Sequence, residues 1–597
     1  TEVDAELSGK VGALLSLSSV GTVNVTARND ADFLNIAGAA AFGGAVGIGA
    51  AVVVSVTQSL VGAKMDYVRA LGADAVQGLV INALNNTRVD SIAFGAAVSA
   101  GSGAKGAGVG MVAINSHRAS TTIGLTDTRA SIASGGTDLL VNALNTSYVG
   151  AGAGGAAVST GKAAVGVAVA INLVDKATND ANEMKGTEVL IGAGSLLGSI
   201  GAPINIRALN DLSLVSVAIG AAVAKNFALA GSAAVNRSDL NTRIEIATGA
   251  KIDANGAGGT IGIDAVGQSN FTALGGGFAL SFGGSSGAGG AGIAINIADT
   301  PVEVFVNGEI DAEDDASVLA RSQQGFVTIA AGGAGSGGFA IGGSVAVTTV
   351  RGDVAVNVGA DGVTWDVADL RVTASESSYI TSLAGAVGIG LQYGGVGLAV
   401  GTITNNRSVK SIVDGTLTIV ASGNVAVTAG ARAATGTNGS NFLDEAVAGL
   451  PSDAFDQSES GVTRADIKSQ SVNIALAFGG SKMVGIGINV AVTTIDRDIL
   501  AEIKGGATVT LTSTDAAIVD PLTGQTAGLT VSADDASGIV SVSVGAAAAI
   551  GLGSPVAIAV AGSVAITDID SAVVARVGDA TINLQNQSDM GVVARNS

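Results

Sequence analysis

Cysteine does not occur once in the 597 residues of this chain. Disulfides, thiolate metal sites and cysteine nucleophiles are therefore excluded. Histidine occurs once, as His117, so a serine–histidine–carboxylate set would have to use it, and nothing marks a serine partner. Its setting, "INSHRAS", reads as a solvated turn. Charged residues make up 13% of the chain, against roughly 25% in an ordinary soluble domain. What charge there is leans acidic: 49 Asp and Glu oppose 29 Lys and Arg, for a formal −20. That balance argues against nucleic acid, whose binding needs clustered Lys and Arg to displace counterions, and against docking on anionic lipid. Aromatic residues amount to 3%, too few for the belts that anchor transmembrane segments. The opening "TEVDAELSGK" lacks the basic start and apolar core of a secretory leader. An internal segment of a longer protein is expected.

What is abundant is glycine, 89 residues, together with alanine and the β-branched residues, at a mean hydropathy of +0.53. These are arranged in a repeat. An aliphatic residue, any residue and then alanine recur as Ala27, Ala83, Ala143, Ala208, Ala265, Ala320, Ala374, Ala429, Ala533 and Ala594. Neighbouring anchors are 54 to 65 residues apart, with one gap of 104. About 16 to 22 residues after an anchor, the apolar run is interrupted at Lys105, Lys162, Lys225, Ser285, Ser336, Gln392 and Ser554-Pro555. Some 30 to 35 residues after it comes an Asn/Asp segment that reads as a turn, as in "VNRSDLNT", "INIADT", "VRGDV" and "TDIDS". Short alternating stretches such as "TRIEI" and "VEVFV" follow, bounded by glycine, asparagine and aspartate, the signature of strands.

The uncharged stretch "NIAGAAAFGGAVGIGAAVVVSV", Asn35 to Val56, is long enough for a membrane-spanning helix. Glycine is a poor helix former and Val and Ile prefer strands, and sister runs carry lysine near the middle. The preferred reading is two small-residue strands joined at Gly43-Gly44 and buried on both faces. A polytopic membrane protein is the alternative. One such unit cannot bury two apolar faces alone, but stacked units can. The expected fold is all-β: a parallel β-solenoid (β-helix) of about ten Gly/Ala/Val-rich repeats, one wide coil per repeat. Asn29, Asn85, Asn145 and Asn210 each fall two residues after an anchor. In-register stacking would align them in an amide ladder, while turn preference explains them equally well.

The long gap marks an acidic insertion, "ARAATGTNGSNFLDEAVAGLPSDAFDQSESGVTRADI", Ala431 to Ile467. The chain then divides into solenoid repeats over 1–430, the insertion loop over 431–467 and further repeats over 468–597. Insertions in repeat proteins emerge as loops on one face, often the binding face. Phe442, Leu443, Asp444, Glu445, Phe455 and Asp456 are the candidate partner-binding residues. No catalytic, cofactor-binding or metal residue is assigned. Calcium is the one cofactor to weigh, at the acidic turns "DAEDDA" (Asp311 to Ala316), Asp496 with Asp498, and Asp568 with Asp570. The nonapeptide of calcium-binding rolls is absent. Arg351-Gly352-Asp353 falls where every repeat places its polar segment and reads as structural. Polar residues are spread by repeat rather than gathered, so neither an enzyme of the polysaccharide-acting β-helix type nor an ice-binding threonine array is favoured.

The stretches "GIGAAVVVSVTQS", "GVAVAINLVDKAT", "GAGIAINIADTPVEVFV" and "GINVAVTTIDRDILAEI" resemble repeats of very large bacterial surface proteins. The similarity is to fusobacterial leukotoxin-like filamentous adhesins and, more loosely, to filamentous-haemagglutinin-type exoproteins. The resemblance implies secretion, a long β-solenoid stalk and a role in attachment or cell-surface structure. It carries no catalytic or ligand-binding residue with it. The expected protein is thus extracellular, without a transmembrane segment. Its partners would be further copies of itself, end to end or side by side, or host and neighbouring-cell surface molecules.

Overall fold

The computed structural model describes residues 1–17, 21–71, 75–178, 184–431, 470–512, 518–519, 526–551, 556–585 and 589–596. Among them there is no helix. One coil serves as the pattern. It starts with the long strand Ile204–Ala224, reverses at Lys225-Asn226 and returns along Phe227–Asp239. The chain kinks at Leu240-Asn241, continues through Thr242–Ile246, crosses a short third side as Lys251–Asn255 and enters the next long strand at Ile261. Each repeat is therefore one wide coil, as its spacing predicts.

Stacked coils form three sheets. Every anchor alanine pairs with the next: Ala27 with Ala83, Ala83 with Ala143, and so on without a slip to Ala533 with Ala594. The gap of 104 residues is a single coil, because Ala429 pairs directly with Ala533. Pairing between coils is parallel. At about 4.8 Å per strand, the nine steps from first to last anchor span about 43 Å.

The cross-section has two parts built on opposite rules. In the base, the anchor half of the long strand, the segment after the kink and the short third side enclose a core of Val, Ile and Leu. Ile206, Ile244 and Ile252 of one coil meet there, all fully buried. Charged residues such as Arg243 and Glu245 point outward. Beyond the kink, two sheets face each other as a flat arm. Its interior is almost wholly alanine with glycine between: Ala218, Ala222 and Ala224 against Ala228, Ala230 and Ala234. The sheets touch backbone to backbone. A methyl group added at Gly166 would overlap the Ala221 carbonyl, one at Gly290 the Gly333 carbonyl, and one at Gly332 the Gly343 carbonyl.

Asn35 to Val56 is thus strand, reversal at Gly44-Ala45, and strand, not a helix. No helix among the described residues is long and apolar enough to cross a membrane. Burial on both faces does not hold, however. These strands bury one face against each other and leave the other outward, as the alternating pattern of Val46–Asp66 shows. The reason is geometric: a coil stacks on its neighbours along the axis through its backbone, which covers strand edges and leaves outer faces open.

Candidate interaction faces of the arm

The arm inverts the usual order of a sheet, small residues inside and large aliphatic ones outside. On the anchor-sheet side, the coil from Ile204 turns Val215, Val217, Ile219 and Val223 outward, and the coil from Leu370 turns Leu383, Val387 and Ile389. On the return side, the outward residues include Val165, Val167, Val169 and Ile171 in one coil and Phe339, Ile341, Val345 and Val347 in another. In the middle of the stack, Ile219 is still 44% exposed and Ile341 43%. Large side chains lie over outward glycines of neighbouring coils, which levels the surface. A methyl group at Gly333 would strike the Phe278 ring, one at Gly335 the Leu280 side chain, one at Gly289 that of Leu229, and one at Gly394 the Phe339 ring. Where the overlay is missing, as at Gly154 between Phe94 and Ile219, a shallow apolar groove crosses the face.

Polar rows border both faces. On the return side the row includes Arg118, Asp175, Asp299, Arg351, Asp496 and Asp570, in register along the axis. At the outer rim the reversals expose Lys105, Lys162, Lys225, Gln392 and Lys482. The interruptions that the sequence places 16 to 22 residues after each anchor are therefore the arm's tip. Ser336 differs: it ends its strand buried and bonds to Ser286 (3.1 Å). Ser554-Pro555 lie outside the described residues.

Where arm meets base, polar side chains run inside the stack. Asn29, Asn85, Asn145 and Asn210 do form a ladder, each amide donating to the next carbonyl oxygen at 2.8, 2.6 and 2.7 Å. A second ladder links Asn115, Asn172, Asn236 and Asn296, 2.9 Å at each step. The sequence signal for it was present: Ala-Ile-Asn or Ala-Val-Asn in four successive repeats. The reading of these asparagines as turn residues is corrected. They sit within return strands, buried, and the chain kinks later, at Leu240-Asn241, Thr300-Pro301, Gly352-Asp353 and Arg407-Ser408. In "TDIDS" there is no break at all.

Further along the axis the row two residues after the anchor becomes ionic. Glu376 is fully buried with the Arg497 guanidinium at 3.2 Å and that of Arg407 at 4.0 Å, and Arg497 also reaches Asp535 at 3.5 Å. Arg407 donates to the Ser322 hydroxyl and the Thr300 carbonyl, both at 2.9 Å. Burial pushes its guanidinium below the usual arginine range, and Glu376 acts against that shift.

The remaining candidates sort quickly. His117 is not a solvated turn residue. It lies fully buried within Gly106–Thr126, with Nδ1 2.9 Å from the Thr57 hydroxyl and Nε2 without a hydrogen-bond partner. Burial, and secondarily the positive amino terminus, lower its pKa to about 4. The Arg-Gly-Asp tripeptide forms a kink. Gly352 takes a positive φ of 99° against the Thr300-Pro301 backbone, and Asp353 accepts from the Ser408 amide at 3.3 Å. Among the acidic turns, Asp311 is held by Lys251 and accepts from the Asp366 amide, and Asp314 accepts from the Gly258 amide at 2.7 Å. Among the described residues, no group of three or more His, Asp or Glu is placed to hold a metal ion. Phe442, Leu443, Asp444, Glu445, Phe455 and Asp456 lie outside the described residues. Sequence reasoning placed its candidate binding residues there and missed the arm faces. Comparison with known proteins finds no matching family model, no similar curated protein and no similar solved structure.

Proposed function

We propose that this chain is a stiff structural segment of an extracellular bacterial surface protein, a β-solenoid stalk that mediates attachment or cell-surface assembly rather than catalysis. The observation that carries the reading is the unbroken ten-row alanine ladder. Each coil contacts mainly its neighbours, so the block extends by repetition, and load along the axis is shared among parallel backbone hydrogen bonds. The acidic balance and lack of cysteine suit a chain that is exported before it folds. The bulk of its partners would be other surface molecules, host or bacterial, and copies of itself. A second reading, a self-assembling subunit of a filament, sheath or surface layer without adhesin activity, is favoured by the two apolar arm faces.

The test is immunogold labelling of intact source cells with antibody to the 597-residue chain, paired with adhesion and cell-aggregation assays on a deletion strain. Labelling without permeabilisation and loss of adhesion support the stalk. Labelling with intact adhesion but a disrupted surface layer supports the second reading. Labelling only after permeabilisation refutes both.

A further inference from the structure

We infer that the two outer faces of the arm are self-association surfaces, each taking the arm of a second copy of this chain face to face. The inference deepens the assembly reading above, but it concerns the purified chain in solution and does not depend on where the cell puts it.

Three observations carry it. The first is area. Each face is about ten residues wide at about 3.3 Å each and nine strands deep at about 4.8 Å, roughly 1,400 Å² of flat surface. A stable interface needs about 800 Å² per partner, and contiguous apolar patches beyond a few hundred Å² mark interaction sites. The second is composition. The outward positions between border and tip are mostly Val, Ile, Leu, Phe, Ala and Gly, as in Val327, Ile329 and Ala331 or Ile486, Ile488 and Val490. Polar side chains such as Asp90, Thr272, Thr381 and Thr402 are confined to the rows nearer the base. The third is shape. Overlaid glycines flatten both faces, and flat sheets pack well face to face at about 10 Å. Extra coils at either end would lengthen these faces and could not cover them.

A second copy fits better than a lipid surface. The border row on the return side carries both signs, with Arg118 beside Asp175 and Arg351 beside Asp299 in a row where aspartate predominates, so two copies offset along the axis can set each arginine against an aspartate. The net charge of −20 works against approach to anionic headgroups. Because the faces lie on opposite sides of the arm, association does not close at a dimer. It continues as a stack, the behaviour of surfaces that leave a free face after each addition.

Sedimentation velocity on the 597-residue chain over a wide concentration range tests this. The wild type is expected to grow past dimers as concentration rises. Val217→Lys with Ile219→Lys blocks one face, and Ile341→Lys with Val345→Lys blocks the other. Each pair should cap assembly at dimers, and all four together should leave monomers with an unchanged far-ultraviolet circular dichroism spectrum. If the lysine variants lose that spectrum, threonine at the same four positions keeps strand propensity and should still weaken association at least about tenfold. A wild type that stays monomeric throughout overturns the inference. So does assembly that survives all four substitutions, which would place association at the strand edges. A monomer that floats with phosphatidylcholine vesicles would overturn it in favour of a lipid surface.

Discussion

The single histidine shows how a local reading fails at the scale of one residue. "INSHRAS" has the polar composition of a turn, yet Ser116 and Arg118 point outward while His117 points in. Alternation within a strand, not composition, decided its place. Neutral burial has a pH consequence. The folded pKa of about 4 lies below the unfolded value of about 6.5. Between those values the unfolded chain binds the extra proton, so stability is complete above pH 6.5 and falls as pH drops toward 4. The loss amounts to about 3 kcal/mol. His117→Val, which copies Val174 at the same row one coil on, should flatten urea-denaturation midpoints across that window. The same acid slope in the variant would mean that carboxylates set it. Glycine gives a second residue-scale test. Gly332→Ala forces a methyl group onto the Gly343 carbonyl and should cost roughly 1–3 kcal/mol. At Gly343 an added methyl meets nothing, so Gly343→Ala should be neutral or stabilising by less than about 1 kcal/mol. Equal effects at both sites would refute backbone contact between the arm's sheets.

At the scale of the element, strands and repeat length were legible because stacking demands equivalence: Ala27 to Ala594 had to recur in phase. The interior polar rows were half legible. The asparagines of the first ladder stood out by their fixed offset, which left a ladder and a turn preference as equal readings until the pairing decided for the ladder. The second ladder was mistaken for turns because asparagine suits both settings, and only pairing distinguishes them. The ionic continuation, Glu376 with Arg407 and Arg497, left no such mark, since it joins a residue two places after an anchor to two arginines at the far side of their coils, one at a kink and one beyond the insertion. It yields a prediction. A buried carboxylate between two guanidinia is costly to neutralise, because both cations then stay buried with less compensation. Glu376→Gln should destabilise by roughly 3–5 kcal/mol, read through the fluorescence of the only tryptophan, Trp365, which is buried. A change below about 1 kcal/mol would show the ion pairs to be solvated rather than structural.

For the whole molecule, fold class was open to the sequence and cross-section was not. Alternation in "VAIGAAV" shows two kinds of residue but not which kind faces in. Ordinary experience places the larger ones inside, and here Ala218 and Ala222 are buried while Val217 and Ile219 are outside. The arm is thin because its filling is small, and it can be thin because the base holds the larger core. That division predicts how association responds to salt. Copies carrying −20 repel at low ionic strength, and added salt screens that repulsion beyond the Debye length, about 10 Å at 0.1 M. The apolar contact itself is not weakened by salt, and sulfate strengthens it. At pH 8, where His117 is neutral in folded and unfolded chain alike, raising sodium chloride from about 0.02 M to about 0.5 M should tighten association by about tenfold, with sodium sulfate exceeding chloride at equal ionic strength. Sedimentation profiles recorded in the two salts decide the matter. Dissociation on adding salt would mean that the border rows of Arg118 and Asp175, not the aliphatic faces between them and the tip, hold the copies together.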